Sequence, residues 1–222
     1  MTNSVVIAID GPAGAGKSTT AKAVASALGI RYLDTGAMYR AIALFAKHHG
    51  LVDSPEKLVD QFRNMSLEFE GHDPQRIVLQ SVDISEAIRT TEIAELASVL
   101  STHSVVRQEM VRRQQALIAE GGVILEGRDA TTVIAPKADV KIYMTASLEE
   151  RALRRTREYS SRGAEGSFGE VRAEILQRDH RDITRSDSPL KVADDAVIVE
   201  TGGKSIQDVV REIVELAKNA NA

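Results

Sequence analysis

Short, continuously apolar runs alternate along this chain with longer stretches whose apolar residues recur every three or four positions. The runs at residues 5–9, 31–33, 123–125, 140–144 and 197–199 predict strands, and their unbroken apolar character predicts cover on both faces. Ala21, Val24, Ala25 and Leu28 fall at i, i+3, i+4 and i+7 of one helix face, with Gly29 placed to end it. Met38, Ile42, Phe45 and Ala46 mark a second helix that stops near Gly50. Ile93, Leu96, Ala97 and Leu100 mark a third, in a helical region expected to run on to about Ile118. Ser147 and Glu150 form a capping box for a helix that enters an arginine-rich stretch. Ile206, Val209, Val210 and Ile213 stripe a last helix with Ser205 as its N-cap; this one is expected to pack on the sheet and take no part in chemistry. Such alternation predicts an α/β fold around a parallel sheet.

Two segments depart from the alternation. Residues 65–70 and 76–82 alternate apolar and polar around Gly-His-Asp-Pro-Gln, which predicts a hairpin inserted between helices, a small antiparallel lobe on the α/β core. Residues 160–169 are rich in Gly and Ser and predict a mobile loop, open to reading as a lid or as a solvated connection.

At 222 residues the chain is one sizeable domain, or one domain with a small insert, and no internal repeat is visible. A hydrophobic share of 43% with 27% charged residues excludes a disordered chain. There is no cysteine, which excludes disulfides, thiolate zinc sites and thiol catalysis. The first residues carry no secretory pattern and no apolar run is long enough to span a bilayer, so a cytoplasmic location is expected. The net charge is −4, yet Arg outnumbers Lys by 19 to 9, and nine of those Arg lie between Arg151 and Arg185. A net acidic chain with one arginine cluster suits a few phosphates better than duplex DNA, because the guanidinium fork matches phosphate oxygens.

The strongest chemical signal is Gly11-Pro12-Ala13-Gly14-Ala15-Gly16-Lys17-Ser18, a match to G-x-x-x-x-G-K-[ST] with an apolar run before it and a helix after it. Glycines let backbone N–H groups turn inward around phosphate oxygens, and the following helix N-terminus adds its partial positive charge. Lys17 can reach the β- and γ-phosphates of a nucleoside triphosphate, Ser18 can hold Mg²⁺, and Thr19 completes the donor set. No Asn-Lys-x-Asp motif supports a GTPase, and the chain is short for a motor or transporter ATPase.

A second phosphate-binding group points to a kinase with a small acceptor. In Asp34-Thr-Gly-Ala-Met-Tyr-Arg40, Asp34 or Thr35 caps the next helix and Arg40 lies about one turn inside it, either near an acceptor or simply solvated. Gly127-Arg128-Asp129 follows a strand at the edge where open α/β sheets bind ligands, as a binding turn or as a surface ion pair. Arg178, Arg181, Asp182 and Arg185 share one face of a continuous helix whose N-terminal continuation is Val171 and Ile175, leaving surplus positive charge for an anion. Arg151, Arg154 and Arg155 share another face, with Arg157 and Arg162 nearby, and are expected to close on the transferring phosphoryl group.

The order GPAGAGKS, DTGAMYR, GRD and RDHRDITR, in a chain of this size, resembles the bacterial cytidylate kinase family over nearly its whole length. The resemblance implies a P-loop fold with a five-stranded parallel core (1–33, 119–150 and 186–222), a nucleoside-monophosphate lobe with an insert (34–118), and a lid with its following helix (151–185). It implies transfer of the γ-phosphoryl group from ATP, with Mg²⁺, to CMP or dCMP by a monomer that uses neither nucleic acid nor membrane. Ser98, Arg107 and Asp129 would then face the cytosine and Arg178 and Asp182 the ribose. Thr35, Arg40, Arg128 and Arg185 would hold the acceptor, and Lys17, Arg128, Arg151, Arg155 and Arg185 would serve the transfer. After GRD the family usually has Ile-Gly-Thr where this chain has Ala130-Thr131-Thr132, a departure that bears on the setting of Asp129. The competing readings are a related kinase acting on UMP or another acceptor, and an ATP-dependent switch. A nucleic-acid binder is disfavoured by an aromatic content of 4%.

Overall fold

Each strand expected from an apolar run forms, and each ends one residue later than expected, on a polar side chain: Asp10, Asp34, Glu126, Thr145 and Glu200. The structure is a computed structural model that describes residues 4–71, 75–161 and 166–220. In chain order the elements are β1 (Val6–Asp10), α1 (Lys17–Leu28), β2 (Arg31–Asp34), α2 (Thr35–His49), α3 (Pro55–Phe62), β3 (Leu67–Glu70), β4 (Arg76–Leu79) and β5 (Val82–Asp83). Then come α4 (Thr91–Leu100), α5 (Ser104–Ile118), β6 (Val123–Glu126), β7 (Val140–Thr145), α6 (Leu148–Ser161), α7 (Phe168–Thr184), β8 (Val197–Glu200) and α8 (Ile206–Ala220). The chain divides into two compact units, Met1–Tyr32 with Glu120–Ala222, and Leu33–Ala119.

The first unit is built on a five-stranded sheet of order β2-β6-β1-β7-β8, in which β1 pairs in parallel with both β6 and β7. Ile7, Ala8 and Ile9 of this central strand are fully buried. Ile7, Ile9, Val24, Ile124, Ile142, Val199, Val209 and Ile213 belong to one apolar core. Gly29, at φ 65°, turns the chain out of α1 in the left-handed region where a side chain would be strained. Cover on both faces fails at β8, where Val197 and Ile198 are exposed; this strand is the sheet's edge. Ile206 is exposed as well, and α8 buries Val209, Ile213 and Ala217. Ala152, Val171 and Ile175 of α6 and α7 cluster around Ala13. The Gly- and Ser-rich connection is shorter than expected, because α6 runs to Ser161 and Ser167 caps α7 through a capping box with Glu170; residues 162–165 lie outside the described set.

In the second unit, the Asp34 carboxylate accepts from the Ala37 N–H at 2.9 Å and caps α2. The helical region expected to reach Ile118 is broken after Leu100. Ser101 Oγ donates to the Ser98 carbonyl at 2.8 Å and Thr102 Oγ1 to that of Val99 at 2.7 Å, engaging carbonyls that a continuing helix would use. Arg113 closes the end of α3 by donating to the carbonyls of Phe62 (2.8 Å), Arg63 (2.9 Å) and Met65 (3.0 Å). The inserted lobe has three antiparallel strands, β3-β4-β5, where two were expected; its first connection includes residues 72–74, outside the described set. The extra strand follows a tight turn in which Gln80 (φ 49°) and Ser81 (φ 66°) both take the left-handed conformation without the Asn or Gly that normally announces it.

A left-handed backbone costs an ordinary residue roughly 1–2 kcal/mol, part of which glycine returns through its larger unfolded-state entropy. The exposed Ser81→Gly substitution should therefore stabilise the lobe by about 0.5–1 kcal/mol, read as a higher urea midpoint. An unchanged or lower midpoint would mean that the turn carries no such strain.

Candidate active site

The carboxyl ends of β1 and β6 carry the chemistry of the first unit. After β1 the chain enters the glycine-rich loop at Gly11, whose φ of 148° and packing leave no room for a side chain, since a Cβ there would strike the Met144 carbonyl oxygen. Gly16, at φ 88°, opens α1. Lys17 is buried and folds back along the loop, donating to the carbonyls of Gly11 at 2.7 Å and Pro12 at 2.8 Å. Burial lowers its pKa to about 7, and the charges of Arg128 and Arg178 push the same way against Glu126 and Asp10. An ammonium held this close to deprotonation is stabilised by any polyanion that takes the place of the carbonyls.

Arg151 stands elsewhere than expected. Its guanidinium is buried and donates to the carbonyls of Ala146 (3.0 Å) and Ala13 (2.9 Å) and to Asp179 (2.5 Å), so it braces the loop instead of facing a phosphoryl group. Arg154 is likewise spent on Thr201, at 2.9 Å to its hydroxyl and 2.7 Å to its carbonyl, and the Thr201 hydroxyl lies 3.2 Å from the Ala15 carbonyl. Arg155 keeps part of its side chain in solvent, 3.0 Å from Glu158 and stacked over Tyr159.

At the end of β6, Glu126 accepts from the Ser18 hydroxyl at 2.7 Å and from the Tyr32 hydroxyl at 3.4 Å. Arg128 donates to Asp182 at 2.7 Å. Burial works against the Arg128 charge, but Asp182 and Glu126 more than restore it, and its pKa lies above the ordinary value. Burial likewise pushes the Asp182 carboxyl up, and the three surrounding charges of Arg128, Arg178 and Arg185 outweigh it, leaving its pKa below the usual carboxylate range. Helix α7 does not carry all four expected residues on one face. It ends at Thr184, and Arg185 leaves in an extended conformation to donate to the Ser188 carbonyl at 2.9 and 2.6 Å. Arg185 stays 3.6 Å from Asp182 and 3.9 Å from the buried Asp129.

In the second unit, Arg40 is partly exposed, 4.0 Å from Asp34, and Thr35 is buried at the start of α2. Ser98 is buried and its hydroxyl has no hydrogen-bond partner among the described residues. Arg107, also buried, donates to the Ser101 carbonyl at 3.3 Å and lies over the Tyr39 ring.

Sequence reasoning passed over four residues. Asp10 and Glu126 close apolar strands immediately before Gly11 and Gly127, a charge at a strand end that was legible but unused. Asp179 belongs to the first of two Arg-Asp pairs in RDHRDITR. Thr201 carries no signal at all. Ser18 and Glu126 fit Mg²⁺: two hard oxygen donors 2.7 Å apart, with no larger acidic or imidazole cluster among the described residues, match an ion that takes most of its ligands from phosphates and water.

The family model described as cytidylate kinase matches residues 7–219. A cytidylate kinase of Bacillus cytotoxicus is 45% identical over 222 residues, covering 99% of either chain, and one of Bacillus cereus is 45% identical over 224 residues and the full length of both. Among solved structures, a gluconokinase from Sinorhizobium meliloti shares the fold at a TM-score of 0.51 and 16% identity over 100% of this chain and 96% of its own. An uncharacterised protein from Eubacterium ventriosum does so at 0.56 and 9% identity, over 97% and 99%.

The Lys17 ammonium titrates near 10.4 in an unfolded chain and about 7 here, so between those values the folded protein holds fewer protons and its stability rises with pH. Lys17→Met should abolish that component. The variant's stability relative to the parent, from urea unfolding without nucleotide, should fall between pH 7 and pH 9.5. A pH-independent difference would place the ammonium in a well-solvated setting.

Proposed function

The chain belongs to the cytidylate kinase family and transfers the γ-phosphoryl group of ATP to CMP or dCMP, and from that premise we propose which side chains do the work. The donor phosphates lie on the backbone of residues Gly11 to Thr19, with Lys17 leaving the Gly11 and Pro12 carbonyls for the β- and γ-phosphates. Ser18 and Glu126 are the residues that would hold Mg²⁺. When bound, the ion draws charge from the phosphate oxygens. Arg155, which keeps side-chain surface beside modest partners, serves the transferring group.

For the acceptor, the CMP phosphate is assigned to Thr35, Arg40, Arg128 and Arg185. Arg178 and Asp182 hold the ribose, and Ser98, Arg107 and Asp129 read the cytosine. The observation that carries this half is the buried Ser98 hydroxyl, which lacks a partner among the described residues and so costs roughly 1–3 kcal/mol until a ligand satisfies it. Asp129 can accept from the exocyclic amine of cytosine; uracil presents a carbonyl there and leaves the carboxylate facing an acceptor. Asp129 is buried, its Oδ1 3.9 Å from an Arg185 nitrogen.

A phosphate oxygen of CMP is already a competent nucleophile, so no general base is needed. That oxygen forms the new bond to the γ-phosphorus as the bond to the β–γ bridging oxygen breaks, giving ADP and CDP. Catalysis is alignment and charge neutralisation. One chain suffices for every residue named, and we take the working enzyme to be a cytoplasmic monomer.

Steady-state ADP release across CMP, dCMP, UMP and AMP at fixed ATP tests the acceptor reading: CMP and dCMP should stimulate strongly, UMP weakly and AMP hardly at all. Strong turnover with AMP would overturn it. Arg40→Ala removes one charge-assisted contact and should raise KM for CMP about 10–100-fold while leaving KM for ATP within about twofold. A larger effect on ATP would move Arg40 to the donor side.

A further inference from the structure

The buried carboxylate of Asp179 has no part in the assignment above, and its contacts form a closed ring. Its Oδ1 accepts from the Ala13 N–H at 2.9 Å and its Oδ2 from Arg151 Nη1 at 2.5 Å, while the same Nη1 donates to the Ala13 carbonyl at 2.9 Å. Both backbone polar groups of one loop residue are thereby held by a buried ion pair. Arg151 is anchored in turn on the Ala146 carbonyl, at 3.0 Å. The Ala13 methyl packs with Ala152, Val171 and Ile175, which keeps water away from the ring. Lys17 also grips this end of the loop, at the Gly11 and Pro12 carbonyls, and Lys17 must let go to serve ATP.

We propose that Asp179, acting through Arg151, is a positioning residue that holds the phosphate loop in shape while Lys17 moves from the loop carbonyls to the donor phosphates. The helix that carries it, α7, also carries Arg178 and Asp182, assigned above to the acceptor, so one rigid element supports the donor loop and contacts CMP. The proposal rests on the donor assignment of the loop and makes a separable demand. Losing the ring should weaken ATP more than CMP, and should erode whatever help CMP binding gives to ATP binding.

Two single variants and their combination provide the test. Asp179→Asn keeps an oxygen for the Ala13 N–H but turns an amide donor toward the Arg151 donor. Arg151→Lys keeps the charge but lacks the fork needed for three acceptors. Calorimetric titration with a non-hydrolysable ATP analogue, with CMP, and with the analogue in the presence of CMP should show analogue affinity down tenfold or more in either variant. CMP affinity without the analogue should stay within about twofold. The double variant should lose no more than the worse single one, because the ring acts as a unit. Should Asp179→Asn not fold, Arg151→Lys carries the same demand alone. Unchanged analogue affinity, equal losses for both ligands, or additive losses in the double variant would each overturn the proposal. Lys17→Ala guards the premise: if it keeps near-normal turnover, the donor assignment of the loop fails, whereas a severe loss there with an intact Asp179→Asn refutes the ring alone.

Discussion

A loop that offers its backbone N–H groups to a phosphate cannot also use those groups to hold itself together. Helices and strands are stable because their polar groups satisfy one another, and a phosphate cradle forgoes that by construction. Its shape must therefore be imposed from outside, and much of the first unit can be understood as the means. Gly11 lets the chain pass the Met144 carbonyl. Asp179 and Arg151 take the peptide groups of Ala13, and Thr201, itself held by Arg154, stands against Ala15. Lys17 is the inner brace and the one group that a bound polyanion would compete for.

The outer braces are charged, which needs a physical reason. Two charges taken from water gain little net stability as a pair, but removing either partner leaves the other uncompensated, at a cost of about 3–5 kcal/mol. A buried ion pair is thus a poor source of stability and a strong source of geometry. The same holds for Arg128, Asp182 and Arg185, whose mutual contacts favour the ionised form of a carboxylate that burial alone pushes toward the neutral one. Arginine suits both settings because one guanidinium can bind several fixed acceptors at once. That explains why the arginine cluster divides: Arg151 and Arg154 are spent on protein carbonyls and hydroxyls, and Arg155 retains solvent-facing surface.

The division was not legible from spacing. Periodicity places side chains on a helix face, and with the local capping signal it found the stripes of α1 and α2, their glycine stops, and the Ser147–Glu150 capping box of α6 with little error. It does not say what lies opposite that face. Arg151 and Arg155 differ by one helical turn and were expected to act alike, yet one meets Asp179 and the other Glu158. Strand runs were legible for the same reason that their polar ends were not. Burial is written in composition, whereas the work of Asp10 or Glu126 depends on which strands adjoin β1. The break after Leu100 and the turn at Gln80-Ser81 were missed because Ser, Thr and Gln carry weaker conformational signals than Pro, Gly or Asn.

The departure at Ala130-Thr131-Thr132 shows how such context changes a residue's meaning. A glycine at the middle position would matter if the backbone there required a positive φ, but Thr131 is not among the residues that adopt one. Its N–H donates to Asp10 at 2.8 Å, beside that of Ala130 at 2.8 Å, and its hydroxyl supplies a third bond to the same carboxylate at 2.6 Å. Burial raises the Asp10 pKa against those three bonds, so each donor counts toward keeping the charge, and the hydroxyl is one that glycine cannot provide. The turn beyond Asp129 is closed from its other side by the Val133 and Ile134 N–H groups, which both donate to the Asp129 carbonyl. Asp129 therefore sits on a backbone tied to the central strand immediately before the phosphate loop. The substitution that put its setting most in question has added a bond to the frame that holds it.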